Sequence, residues 1–296
     1  MIKHLITGGC SFSHGPFPED SWIGNLENHL RSINPELSRE HTGFLSQGQE
    51  LIQKKVTLAV MDALSKGIDP SEILVVVMWS GTYRKAWYID NKYIIDKMAK
   101  LWKNFDGGMS AQFLDLKNNN GQAQFFETKN GSQFHYSKDG GWYFTVNGSD
   151  CPMEFVQQHY LLDGDMGNGV GKVHMSTENM IMLQNFCKLN NVKFIHQYFM
   201  DSSYLDIEKH REHQLISYLY KQLDSNIMIK NGMFEYLHTL LDIPREEAIM
   251  VTHDDRKRLD EPFGYFNKDG FHPSRLGAKL WFENVLLPFL ESRKYI

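Results

Sequence analysis

One run of apolar residues constrains the fold of this chain more than any other feature. The run "ILVVVMW" spans residues 73–79 and is closed by Ser80 and Gly81. Most of its side chains are β-branched, which favours a strand. An unbroken apolar strand is typical of a parallel sheet that is covered on both faces. At seven residues the run is far too short to cross a bilayer. The sequence therefore predicts a buried strand of a parallel sheet here.

Strand and helix patterns alternate on both sides of this run. Apolar segments at 2–7 and 193–199 predict two more strands. Helical spacing of apolar residues predicts four helices, at 21–33, 46–67, 177–192 and 274–290. Ser21 is a suitable N-terminal cap for the first helix, and Gly67 is a suitable stop for the second. This alternation predicts an α/β fold with a central parallel sheet.

Residues 103–150 break this rhythm. They are rich in Gly, Asn and aromatic residues, and "KNG" and "KDGG" are turn signals between polar and aromatic segments. We interpret them as a β-hairpin insertion or flap within one domain that spans residues 1–296. The aromatic residues are expected to form the hidden face of the hairpin or a flap over a functional site; they are Phe125, Phe126, Phe134, Tyr136, Trp142, Tyr143 and Phe144.

Composition narrows the class of protein. The chain has 296 residues, of which 42% are hydrophobic and 23% charged, which is ordinary for a globular protein with a sizeable core. A net charge of −5 with no long run of Lys or Arg argues against nucleic acid or a membrane surface as the partner. Cys10, Cys151 and Cys187 have no metal-like spacing and are expected to be reduced thiols in a cytoplasmic protein. A secretory signal is not expected, because only one Lys and a short apolar segment precede Gly8.

Four chemically active side chains crowd into a glycine-flanked turn near the start of the chain. The stretch "GGCSFSHG" occupies residues 8–15 and contains Cys10, Ser11, Ser13 and His14. Ser11 alone would most simply cap a helix. Nothing beside Cys10 lowers the pKa of its thiol, and nothing nearby in sequence would orient His14 as a base.

A second informative stretch lies near the other end of the chain. The segment "DGFHP" places Asp269 three residues before His272, on a loop that precedes a predicted helix. Nucleophilic catalysis by serine needs a neutral imidazole to take the hydroxyl proton and a carboxylate to orient that imidazole. In a parallel α/β sheet this loop and the turn at Ser11 would both lie at the carboxyl ends of strands, where sites of this architecture are found.

These two blocks resemble those of the SGNH, or GDSL-type, hydrolases. The resemblance implies that Ser11 is the nucleophile, His272 the general base and acid, and Asp269 the residue that orients His272. It also implies that the backbone N–H groups of Ser11 and of Gly48, in "LSQGQELI", form an oxyanion hole. The family fold is a three-layer α/β/α sandwich, and the chemistry uses neither a metal nor a cofactor.

The sequence departs from the family pattern at two places. Cys10 stands where the family has Asp, as in divergent members with "GCSF". The family block with the oxyanion-hole Asn is replaced by "WSGTYR" at 79–84. Ser80 or Thr82 could supply a hydroxyl donor in its place, and Arg84 a charged donor. Trp79, Tyr83 and Arg84 are candidate substrate contacts or packing residues at the rim.

The expected activity is that of a serine esterase. The preferred substrate is a small acyl ester, most simply acetyl, on a carbohydrate, because the chain has no long apolar stretch suited to a fatty chain and has a polar, aromatic insertion. The alternatives are an O-acyltransferase on the same fold and a catalytically silent glycan-binding module. The acidic stretch "HDD" at 253–255 is expected to be a solvated turn rather than a metal site. The oligomeric state stays open.

Overall fold

The structure is a computed structural model and describes ten segments of the chain. They are residues 1–14, 21–43, 47–81, 84–89, 125–127, 133–136, 142–147, 170–200, 210–240 and 272–296. Some of the predictions concern residues outside these segments. These residues are Cys151, the acidic stretch at 253–255 and most of the segment 103–150.

A five-stranded parallel sheet forms the centre of the fold, with strand order β2-β1-β3-β8-β9. Its strands are β1 (His4–Gly8), β2 (Ser38–His41), β3 (Ile73–Trp79), β8 (Lys193–Tyr198) and β9 (Met228–Gly232). The register pairs Leu5 with Leu74 and Val76 with Ile195. All seven residues of β3 are buried, as the apolar run predicted for a central strand.

Helices cover both faces of this sheet. They are α1 (Ser11–His14), α2 (Trp22–Ile33), α3 (Gln49–Ser65), α4 (Val170–Leu189), α5 (Gln214–Tyr220), α6 (Met233–Thr239), α7 (Arg275–Trp281) and α8 (Leu287–Ser292). Val76 of β3 packs in a cluster with residues of α2, α6 and α7, whereas Val75 packs with residues of α3, α4 and α5. Alternate side chains of one strand therefore reach opposite layers. The predicted α/β fold, with helices on both faces of a parallel sheet, is confirmed.

Two helix ends carry the local signals that the sequence predicted for them. Ser21 caps α2, and its Oγ accepts hydrogen bonds from the backbone N–H of Ile23 and Gly24. Gly67 follows α3 with φ +79°, a left-handed conformation that glycine adopts without strain. The helix predicted at 177–192 begins seven residues earlier, at Val170. The added turns bury Val173 against the sheet.

The last helical segment is not continuous in type. Between α7 and α8 the chain forms a π-helical turn at Phe282–Leu286. Pro288, in the first turn of α8, has no N–H to donate to the carbonyl four residues earlier, which accounts for the widened turn before it.

A second, antiparallel sheet lies in the insertion. Its order is β4-β7-β6-β5, formed by β4 (Arg84–Ile89), β5 (Phe125–Glu127), β6 (Gln133–Tyr136) and β7 (Trp142–Asn147). The β-rich insertion expected from the turn signals is thus present, and it recruits β4 from directly after the central strand. Whether it covers the active site stays a prediction.

Among the described residues no helix is both long and apolar enough to cross a membrane.

The approach of α3 to the end of β1 depends on a glycine. A Cβ built on Gly8 would lie 2.5 Å from Cγ2 of Val56, which is fully buried in α3. That separation is well inside van der Waals contact, and a β-branched side chain in a helix has little freedom to turn away. Gly8 therefore lets the helix pack directly on the strand that leads to Ser11.

We expect Gly8→Ala to lower the free energy of unfolding by about 1–3 kcal/mol, as overpacking does in well-packed cores. Urea denaturation followed by circular dichroism measures this change. The double variant Gly8→Ala with Val56→Ala should lose less stability than the two single variants together, because the second change removes the clashing methyl groups. Strict additivity of the two changes would contradict the steric account.

Candidate active site

Ser11 lies at the first turn after β1. It begins the short helix α1, and the turn is closed by a 2.9 Å hydrogen bond from the N–H of Ser13 to the carbonyl of Cys10. A Cβ on Gly9 would collide with the side chain of Ser13, so only glycine fits at that position. Ser11 lies at the limit of burial, with 9% of the residue accessible. The turn thus presents one hydroxyl at the carboxyl end of the sheet.

His272 meets this hydroxyl from the other end of the sequence. Its Nε2 lies 2.9 Å from Oγ of Ser11, a hydrogen-bonding distance between residues 261 positions apart. Two positions further on, Ser274 caps α7 by accepting a hydrogen bond from the N–H of Gly277. The indole N–H of Trp281, at the end of α7, donates to Oε1 of Gln197 at 3.0 Å, and both side chains are fully buried. The helix that follows His272 is therefore fixed to β8.

Gly48 is held beside the same turn by its two neighbours. In the amide orientation that satisfies both groups, Gln47 donates to the carbonyl of Gly9 at 3.1 Å and accepts from Nζ of Lys55 at 2.6 Å. Gln49 donates to the carbonyl of Ser80 at 2.7 Å. These two bonds tie the start of α3 to the ends of β1 and β3. Gly48 is the N-cap of α3, so its N–H lies at the positive end of that helix.

This arrangement has the parts of an acyl-transfer site. A hydroxyl is hydrogen-bonded to an imidazole, and the amino end of a 17-residue helix stands beside it. Such a helix end favours a developing negative charge. No group of three or more His, Cys, Asp or Glu side chains within the described segments is arranged to hold a metal ion.

The other predicted site residues fall partly outside the described segments. Those outside are Asp269, Thr82 and Tyr83. Arg84 begins β4. Ser80 follows β3 directly and is only 2% exposed.

The two thiols that the structure describes are buried. Cys10 packs in the hydrophobic cluster that contains α2, with no exposed surface. Burial raises the pKa of Cys187 to about 12. Both behave as small apolar side chains, and Cys10 has no access to a substrate.

No family model matches the chain, and no curated protein matches it. Among solved structures, the chain is similar to an alpha/beta hydrolase enzyme from the metagenome of Lake Arreo, Spain. The two are 14% identical, the match covers 97% of this chain and 94% of that chain, and the TM-score is 0.32. At that TM-score the likeness carries no argument about the site.

Trp79 packs in the core rather than at the rim of the site, which favours the packing role over the substrate contact that the sequence left open. Its side chain is fully buried on the α3 side of the sheet. Its indole N–H donates to Nδ1 of His196 at 2.8 Å. Burial lowers the pKa of His196 to about 3, so the imidazole is neutral near pH 7 and accepts this bond. Alternate residues of β3 face the same layer of helices. Trp79 therefore faces the α3 layer together with Val75 and Val77.

His196 should make the protein less stable in acid. Its pKa is lowered to about 3 in the folded protein and lies near 6.5 in the unfolded chain. The unfolded state therefore binds more protons between these values, and the free energy of unfolding falls as the pH falls from about 6.5 towards 3. One such group contributes about 1.4 kcal/mol per pH unit.

We expect His196→Asn to reduce this slope by about one proton, or about 1.4 kcal/mol per pH unit, between pH 5 and 4. The asparagine Oδ1 can still accept the bond from Trp79, so the indole N–H keeps a partner. Urea denaturation at a series of pH values measures the slope in each protein. Burial also lowers the pKa of His238 and His4, but both residues are present in both proteins. Equal slopes would show that His196 is not protonated on unfolding.

Proposed function

We propose that this protein is a serine esterase of the SGNH type that hydrolyses a small acyl ester through an acyl-enzyme. The observation that carries the proposal is the 2.9 Å separation between Oγ of Ser11 and Nε2 of His272. A general base must lie within hydrogen-bonding reach of the proton that it takes, and this pair meets that condition. The α/β fold and the position of both residues at one edge of the sheet support it.

The first half of the reaction forms the acyl-enzyme. Ser11 Oγ attacks the ester carbonyl carbon while its proton passes to Nε2 of His272. The carbonyl oxygen becomes an oxyanion, which the N–H groups of Ser11 and Gly48 stabilise. The intermediate collapses, the carbon–oxygen bond to the leaving alcohol breaks, and His272 returns the proton to that oxygen.

Water completes the cycle. It attacks the acyl-enzyme carbonyl and gives a proton to His272, which passes it to Oγ as Ser11 leaves. Asp269 is assigned on the sequence motif to accept the Nδ1 proton of His272 and hold the ring in this tautomer.

The oxyanion hole of this proposal lacks the amide side chain of the family pattern. Ser80 is our candidate for the missing donor, because it follows the central strand and Gln49 ties its carbonyl to the start of α3. Thr82 is the second candidate. Loss of one oxyanion donor costs about 10²–10³ in kcat in other serine hydrolases, so an enzyme without a replacement would be slow.

The acyl group is proposed to be small, with acetyl on a carbohydrate as the first choice. Ser11 is only 9% exposed, which favours a compact acyl group over a long chain. The aromatic insertion is suited to contact with sugar rings.

We expect Ser11→Ala to lower kcat for p-nitrophenyl acetate by about 10³-fold or more, because loss of the nucleophile removes the acyl-enzyme route. His272→Asn should lower kcat comparably, since the two residues act as a unit. Ser13→Ala is the matched control. Its Oγ is buried and has no hydrogen-bond partner among the described residues, so its removal should leave kcat within about twofold of the parent.

Wild-type turnover by Ser11→Ala would contradict the proposal. Product analysis with and without a glycan acceptor separates hydrolysis from acyl transfer: free acetate in both cases indicates an esterase, and acyl-glycan with little free acetate indicates a transferase. Glycan binding without turnover would indicate the catalytically silent module.

A further inference from the structure

An aromatic stack lies directly under His272. The imidazole packs on the ring of Phe12, with 4.6 Å between ring centroids and 29° between planes. Phe12 also stacks on Phe199, with their planes 1° apart. Because a face-to-face partner leaves no room for another ring on the same face, Phe199 and His272 take opposite faces of Phe12. Phe199 in turn contacts Phe234, with 5.8 Å between centroids.

The stack is fixed in the core. Phe12 is 4% exposed and Phe199 2% exposed. The N–H of Phe199 donates to the carbonyl of Trp79, and the N–H of Phe234 donates to the carbonyl of Phe199. These are backbone bonds that do not depend on the Phe199 ring, and they hold the layer beneath Phe12 at the ends of the central strands.

The turn that carries Ser11 also carries this support. Phe12 is the residue directly after Ser11 in α1. One short turn thus presents a hydroxyl to Nε2 of His272 and a ring face to the imidazole plane. The hydrogen bond fixes one edge of the imidazole, and the stack limits its rotation about the side-chain bonds.

The face of an aromatic ring carries partial negative charge and attracts cations. In the proposed reaction His272 becomes an imidazolium as Ser11 attacks. The contact with Phe12 is therefore stronger in the transition state than in the resting enzyme, which is the condition for lowering the barrier.

We propose that Phe12 is a positioning residue, which holds the His272 ring against Ser11 and stabilises the positive charge that forms on it. This inference rests on the proposed esterase function and adds a residue that acts through His272.

The test compares three variants of similar size with the parent protein. Phe12→Leu removes the ring face under His272 but keeps an apolar side chain. Phe12→Tyr keeps the ring face. Phe199→Leu is the matched control, because it removes a ring of the same stack that packs against Phe12 on the face away from His272. Thermal unfolding shows how much stability each variant loses.

We expect Phe12→Leu to lower kcat for p-nitrophenyl acetate by about 2- to 30-fold, the range of a cation–π contact. KM should stay within about twofold, because the contact strengthens only in the transition state. Phe12→Tyr should restore most of the lost kcat. Phe199→Leu should lose stability but keep kcat within about twofold of the parent.

A proton NMR measurement on the resting protein accompanies the kinetics. The Cε1 proton of His272, assigned by its loss in His272→Asn, should be displaced by the ring current of Phe12, because the two rings are stacked. This displacement should vanish in Phe12→Leu and persist in Phe12→Tyr and Phe199→Leu.

Equal losses of kcat in Phe12→Leu and Phe199→Leu would overturn the inference, because Phe12 would then act only through packing. An unchanged kcat in Phe12→Leu would also overturn it. The same holds if the Cε1 proton of His272 resonates at the same position in Phe12→Leu as in the parent protein. If these results occur while Ser11→Ala and His272→Asn abolish turnover, the esterase proposal stands and only the role of Phe12 fails. If Ser11→Ala keeps wild-type turnover, the esterase proposal fails and this inference fails with it.

Discussion

The central strand β3 can be buried only if helices cover the sheet from both sides, and the position of the candidate site follows from that requirement. Val75 and Val76 pack into opposite layers, so the connections between strands must cross the sheet faces as helices. Parallel strands then bring all their carboxyl ends to one edge. At that edge the turn after β1 carries Ser11, and the start of α3 lies beside the end of β3.

Close packing at the end of β1 fixes the position of α3 against the sheet. Gly8 lets α3 approach the strand. Gln47 and Gln49 then link the start of that helix to Gly9 and Ser80. These bonds fix the start of α3, with its backbone N–H groups, beside the turn that carries Ser11. Preorganised donors of this kind need not reorient when charge develops, which is why they are effective in stabilising an oxyanion.

Much of this arrangement could be predicted from local patterns. The alternation of apolar strands and amphipathic helices can be recognised from neighbouring residues alone. The same is true of the N-cap at Ser21 and the helix stop at Gly67. The edge strand β2 was not predicted, because "SREH" is polar and partly exposed and lacks an apolar signal. The pairing of Ser11 with His272 could be predicted from the chemistry of the two motifs and their family resemblance but not from local patterns, since nothing local relates residues 261 positions apart.

Other features could not be predicted because they depend on which way a side chain faces. Trp79 looked like a rim residue by its place at the end of a strand, yet the alternation along β3 directs it into the core beside His196. The roles of Gln47 and Gln49 depend on single amide contacts, which have no sequence signature. The stack under His272 joins Phe12 to Phe199, and only the packed fold brings those rings together.

The central claim is that Ser11 is a nucleophile activated by His272. Fluorophosphonate labelling of the folded protein, followed by mass spectrometry of the intact chain and of its peptides, tests it most directly. The account predicts a single adduct on Ser11 that forms far more slowly in His272→Asn. An adduct on another residue, or no adduct on the folded protein, would contradict it.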